Sequence, residues 1–131
     1  MNNDGTTDSA ENGTDDFRVM HLEANGPLVS TSDDTSDLIS NAWINHVSLI
    51  AIPVARLDPL FFDLSSLLAG EITQKLVNYQ VKLAVIGDIS EFVAASTALG
   101  DFVWESNRGE HVWFLPNETA LETKLAASRG R

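Results

Sequence analysis

The pattern of apolar and polar positions changes rhythm several times along the chain, and the changes mark out strands and helices. The clearest element is Leu49–Val54, a near-continuous apolar run. A strand without polar alternation is covered on both faces, as in a parallel sheet flanked by helices. Val81–Ile86 reads as a further core strand, ended by Gly87-Asp88, and His111–Leu115 as the last strand, rich in β-formers. Upstream, Phe17–Glu23 alternates loosely, Ala24-Asn25-Gly26-Pro27 supplies turn residues, and Leu28–Ser30 returns. Asn-Gly favours positive φ, so these segments predict an antiparallel hairpin.

Helical spacing fills the gaps. Leu38, Ile39, Ala42 and Trp43 define a first helix over roughly Asp34 to Asn45, with Trp43 in its buried stripe and His46 at its end. After the loop Ala55–Pro59, Asp63 is placed as the N-cap of a second helix. That helix buries Leu64, Leu68, Ile72 and Leu76, with Leu67 and Val77 widening the stripe and Asn78-Tyr79-Gln80 closing it. Ser90–Asn107 is helical again. Gly100 inside it allows two pieces, Ser90–Ala95 and Thr97–Asn107, and Gly109 suits a C-terminal cap. Pro116-Asn117 opens a last helix, Glu118–Ala126, anchored by Leu121 and Leu125. The predicted fold is α/β: an N-terminal β-hairpin, then α-β-α-β-α-β-α, with a mixed, largely parallel sheet covered by helices.

Composition adds bounds. A chain of 131 residues with 44% hydrophobic content supports one domain and one proper core. Residues 1–16 carry Asp4, Asp8, Glu11, Asp15 and Asp16 and almost nothing to bury, which predicts a disordered acidic tail. The domain is expected over 17–127, with a second disordered tail at 128–131. The start lacks a basic and apolar leader, and no apolar run is long enough to span a bilayer, so a cytoplasmic protein with no membrane partner is expected. The absence of cysteine excludes a disulfide scaffold, thiolate metal sites and thiol catalysis. A net charge of −11 disfavours nucleic acid, which needs a concentrated basic footprint.

Candidate chemistry lies at two ends of the predicted sheet. Ligands of open parallel sheets gather at the carboxyl ends of the strands, where loops deliver Arg56, Asp58, Asp63 and Asp88. Three carboxylates there would hold a divalent cation or act as acid and base. In the plainer alternative, Asp58 and Asp88 make loop turns, Asp63 caps a helix and Arg56 neutralises one of them. Ser65 and Ser66 fall in the first turn of the second helix, where a phosphate would meet free backbone N–H groups. A second polar motif, Glu105, Asn107 and Arg108, belongs to the opposite edge, and Glu105 and Arg108 can pair across i,i+3. His21, His46 and His111 have no metal-ligand spacing. No phosphate loop, nucleophile elbow or zinc-protease helix motif is present. The expectation is no catalytic residue, no metal and no cofactor.

Several stretches together resemble an uncharacterised bacterial family, a domain of unknown function described as STAS-like. They are Arg56-Leu57-Asp58-Pro59, Phe61-Phe62-Asp63-Leu64, Leu68-Ala69-Gly70-Glu71-Ile72, Lys75-Leu76-Val77-Asn78-Tyr79, Gly87-Asp88-Ile89-Ser90 and Glu105-Ser106-Asn107-Arg108-Gly109. The resemblance covers roughly Arg18 to Leu125 and implies no activity. More distantly, the layout resembles STAS domains, the anti-sigma-factor antagonist fold. Their strand–loop–helix segment carries Asp-Ser-Ser-Gly-Leu; here Asp63-Leu64-Ser65-Ser66-Leu67-Leu68 is one residue longer, with Leu67 where glycine would fall. In the antagonists a serine of that motif is phosphorylated, which by resemblance makes Ser65 or Ser66 the acceptor.

The leading expectation is a non-enzymatic regulatory module that binds a protein partner through the Arg56–Asp63 loop and the following helix. The alternative is a small-molecule, nucleotide or divalent-metal binding protein, or a weak enzyme, that uses the strand-end carboxylates. A homodimer is compatible with either.

Overall fold

The computed structural model describes residues 18–129. Four short strands, β1 (Val19–His21), β2 (Leu49–Pro53), β3 (Lys82–Ile86) and β4 (Val112–Leu115), alternate with helices α1 (Ser32–Ile44), α2 (Leu68–Asn78), α3 (Ser90–Ala95), α4 (Thr97–Arg108) and α5 (Glu118–Arg129). The strands lie side by side in chain order, and every neighbouring pair is parallel. Each crossover steps one strand in the same direction, so right-handed connections lay all the crossover helices on one face. That face is the larger core. Ile50, Ile52, Leu83, Val85, Val112 and Phe114 of the sheet cluster with Ile39 and Ala42 of α1, Ile72 and Leu76 of α2, and Leu99 of α4.

The opposite face is covered by α5. Leu121 and Leu125 pack on Leu49, Ala51, Ala84 and Trp113. Ala51 and Ala84 are register neighbours, and Ala84 lies beside Trp113. Two methyl-sized residues at the centre of that face let the helix approach closely, and Leu121 is fully buried there. All of Leu49, Ile50, Ala51 and Ile52 are at most 1% exposed, as an unbroken apolar run demands.

The α/β class and the helix-covered parallel sheet match expectation, but the N-terminal hairpin does not form. β1 instead pairs parallel with β2, Val19 opposite Leu49 and His21 opposite Ala51. Leu28–Ser30 contributes one parallel bridge, Val29 to Leu57, in which the Val29 amide donates to the Arg56 carbonyl at 2.7 Å. An isolated two-stranded hairpin is marginal in water. Beside β2 the same residues gain a partner in a four-stranded sheet, and Pro27 removes a ladder donor.

The helix boundaries moved for identifiable reasons. α1 starts at Ser32 because Thr31 and Asp34 form a reciprocal capping box: Thr31 Oγ1 accepts the Asp34 amide at 3.1 Å, and the Asp34 carboxylate accepts the Ser30 and Thr31 amides at 2.8 and 3.0 Å. The buried stripe runs through Thr35, Ile39 and Ala42, while Trp43 stays 60% exposed, its indole N–H reaching the Tyr79 carbonyl at 3.3 Å. α2 begins at Leu68, not at Asp63. Three 3-10 turns, Val54–Arg56, Pro59–Phe62 and Leu64–Ser66, precede it. The split between α3 and α4 falls at Ser96, whose hydroxyl caps the Leu99 amide. Gly109 ends α4 in an extended conformation, φ −96°, not in the left-handed one that a glycine cap typically uses. α5 continues to Arg129, into the segment expected to be a tail; the expected tail at 1–16 and residues 130–131 lie outside the described residues.

The capping box carries a pH prediction. The Ser30 amide above all holds the Asp34 carboxyl below its ordinary 3.8; desolvation opposes it, and the Thr31 side chain and amide add smaller lowering effects. A group whose folded pKa is lowered contributes stability above its unfolded pKa and loses it as pH falls through the folded value. Urea unfolding at a series of pH values should therefore weaken below about pH 4. Asp34→Asn should be less stable at neutral pH and show a shallower acid limb.

Candidate functional site

At the carboxyl edge, the chain from Val54 to Leu67 forms a platform of consecutive 3-10 turns. Phe61 and Phe62 turn down into the core, 0% and 4% exposed. They sit in a line of aromatic rings: Phe92 stacks on Phe62 at 4.4 Å between centroids, Phe62 meets Phe61 at 5.2 Å, Phe61 meets Phe114 at 6.3 Å, and Phe114 meets Phe102 at 5.9 Å. The platform is thus bolted to α3, α4 and β4 from beneath.

The polar residues expected here are each engaged locally. The Arg56 guanidinium reaches back across the surface, Nε donating to the Pro27 carbonyl at 2.6 Å and Nη1 to the Glu23 carbonyl at 2.9 Å. It lies so close to Gly26 that a Cβ there would stand 2.8 Å from Cζ. Arg56 therefore clamps the Glu23–Pro27 loop, and among the described residues it makes no ion pair with a carboxylate. Asp58 accepts the Leu60 amide at 2.9 Å and starts the second 3-10 turn. Asp63 accepts the Ser65 amide at 3.1 Å and the Ser65 hydroxyl at 2.6 Å. Asp88 accepts the Ser90 amide at 2.9 Å; that amide and then the Ser90 side chain hold its carboxyl below the usual range. Each aspartate bonds two residues ahead, the geometry by which short acids stabilise turns. Among the described residues, no three His, Asp or Glu side chains gather as metal ligands would.

The two serines differ. The Ser66 hydroxyl donates to the Leu60 carbonyl at 2.7 Å and accepts the Leu68 amide at 3.2 Å, so it joins two turns and is half-buried. Ser65 is exposed, its hydroxyl resting on Asp63.

Sequence reasoning missed the apolar part of this surface. Leu60, Leu67 and Leu28 are 52%, 66% and 46% exposed. Leu67, expected to widen the buried stripe of α2, holds a left-handed backbone, φ 68°, and points its side chain outward. One sign was legible: a 3-10 turn repeats every three residues, so the consecutive apolar residues Leu60-Phe61-Phe62 cannot all face inward. Nothing in a leucine foretells positive φ.

At the amino edge, Glu105 and Arg108 pair at 3.9 Å, and the Arg108 guanidinium lies 4.4 Å from the Trp104 ring centroid. Asn107 has a different duty. Leu83 and Gly87 of the β3 side bond to the His111 and Leu115 carbonyls, so by strand alternation the backbone of Phe114 points away from β3. The Asn107 carboxamide satisfies both outward groups, its Oδ1 accepting the Phe114 amide at 2.7 Å and its Nδ2 donating to the Phe114 carbonyl at 3.2 Å. The side chain imitates the peptide of a missing neighbour strand and blunts the edge. Asn107→Ala should lose about 1–3 kcal/mol in urea unfolding and show concentration-dependent association by light scattering.

The histidines remain apart: His21 Nδ1 lies 3.3 Å from Glu118 at the surface, His46 follows α1 at φ 57°, and His111 precedes β4. Among the described residues, no helix is long and apolar enough to cross a membrane.

Together these features define a small α/β domain with one parallel sheet and a rigid, leucine-bearing platform at its carboxyl edge. The chain belongs to the family described as Domain of unknown function (DUF4180), which it matches over residues 14–125. No curated protein and no solved structure matches it.

Proposed function

We propose that this chain is a non-enzymatic regulatory module that binds a protein partner through the Arg56–Asp63 loop and the exposed start of α2. The observation that carries the reading is Leu67. A left-handed conformation at a non-glycine residue costs about 1–2 kcal/mol, and the same residue leaves most of an apolar side chain in water. The left-handed backbone turns the chain from the third 3-10 turn into α2, but the exposed side chain adds nothing to the core. Both are useful for a leucine held out as an anchor, beside Leu60, on a platform that the Asp58 and Asp63 caps and the Phe61–Phe62 pair keep rigid. Committing Asp58, Asp63 and Asp88 to their own turns leaves the alternative, a small molecule or divalent ion held by those acids, with less support.

The more distant likeness to STAS domains belongs to the same proposal. Leu67 takes the backbone conformation that suits the glycine of their motif, although the hairpin of those domains is absent here. Of the two candidate phosphoacceptors, Ser65 is the accessible one, and a phosphate on it would repel the Asp63 carboxylate and open the turn. Substitution gives the test. Leu67→Gly should leave unfolding free energy unchanged or raise it by up to about 1 kcal/mol, yet remove partners captured by wild type in cross-linked lysate. Leu60→Ser should do the same to capture, with Asp58→Ala and Ser65→Ala probing the polar rim. Identical partner lists for wild type and all four variants would sink the assigned face.

A further inference from the structure

A cleft of about 350 Å³ opens at the amino edge of the sheet, between β3, β4, the end of α4 and α5, on the far side of the molecule from the leucine platform. Among the described residues Lys82, Arg108 and Lys124 all line it, with Glu110 the carboxylate of the lining and Glu105 paired to Arg108 at 3.9 Å. The chain has 19 acidic residues to 8 basic ones, a ratio at which cations would be expected to lie among carboxylates. Gathering three of them around one concavity runs against that expectation and against like-charge repulsion.

The cations are also held in place. Lys124 Nζ donates to the Asn107 carbonyl at 3.0 Å and lies 5.0 Å from the centroid of the Trp113 ring. That ring is fixed in turn by its own N–H, which donates to the Gly109 carbonyl at 2.9 Å. Lys82 Nζ donates to the Glu110 carbonyl at 2.7 Å. Among the described residues, Lys124 makes no ion pair. A carbonyl and an aromatic face orient its ammonium without neutralising it, and two of its three protons remain for another acceptor. The remaining acidic surface is screened beyond about 8 Å at physiological ionic strength, so the local charges dominate inside the cleft.

We infer that this cleft binds a small phosphate-bearing molecule, its oxyanion received by Lys124 and Arg108 with Lys82 behind them. The volume falls at the lower end of that for small-ligand pockets, roughly 300–1,000 Å³, which suits a phosphate or diphosphate group with a small substituent. The site is independent of the proposed partner surface.

The test is an NMR titration of the full chain with inorganic phosphate and with pyrophosphate, at ionic strength matched with potassium chloride. The Trp113 indole N–H and the Gly109 and Glu110 amides should shift saturably, with pyrophosphate binding more tightly, while the Trp43 indole stays still. Lys124→Gln and Arg108→Gln should each weaken binding by at least about tenfold. Lys75→Gln, remote on α2 and bonded to Ser32, and Leu67→Gly should leave it unchanged. Non-saturating shifts, or equal affinity in the Lys124 and Arg108 variants, would overturn the assignment.

Discussion

Phe61→Ala is expected to lower the unfolding free energy by about 3–5 kcal/mol, the range for removing a fully buried phenylalanine. A domain of this size has about 5–15 kcal/mol in total, so the variant would be at the edge of folding. The ring is 0% exposed and lies between Phe62 and Phe114, which links the 3-10 platform to β4. The lost contacts cannot be replaced by local collapse, because the Asp58 cap and the Arg56 clamp hold the surrounding backbone. The neighbouring Leu60→Ala is the control: its side chain is 52% exposed, and its effect should stay within about 0.5 kcal/mol. Urea unfolding followed by circular dichroism distinguishes the two. A shift of under about 1 kcal/mol for Phe61→Ala would mean that the platform is not anchored as described.

The second large effect is expected from Leu121→Ala, at about 2–5 kcal/mol. Leu121 is the centre of the contact between α5 and the second face of the sheet, over the Ala51–Ala84 pair. Because those two residues are small, they have no side-chain atoms with which to fill the vacated space, and the cavity term should be large. The change has its own optical signature. Trp43 and Trp104 are already 60% exposed, whereas Trp113 is 3% exposed beneath α5. Loosening the helix should therefore move tryptophan emission to the red through Trp113 alone, and Trp113→Phe in the same background should remove the shift.

Both effects concern contacts that differ in how far the chain announces them. Leu121 and Leu125 were legible as anchors from their i,i+4 spacing, and the run Leu49–Val54 was legible as a strand covered on both faces, as Leu49–Ile52 are, although the strand ends at Pro53 and Val54 turns into a 3-10 helix. Which residues each face would meet was not, since a period-2 pattern assigns sides without assigning partners. Phe61 and Phe62 read as part of a loop because a short 3-10 turn has no repeating stripe to detect. The site residues divide in the same way. That Arg56, Asp58, Asp63 and Asp88 fall on segments following β2 and β3 is legible from the order of elements. Their engagement with Pro27, Leu60, Ser65 and Ser90 depends on loop geometry that no spacing reports.

By itself, the sequence determined the alternation of strands and helices, the α/β class and the buried identity of β2 and β3, because these follow from apolar periodicity and chain connectivity. Only the tertiary structure decided that β1 joins β2 in parallel, that Leu67 turns outward at positive φ, that Asn107 closes the edge of β4, and that Lys82, Arg108 and Lys124 meet around one cleft. These are matters of which distant segments compete for the same surface, and local pattern carries no information about that competition.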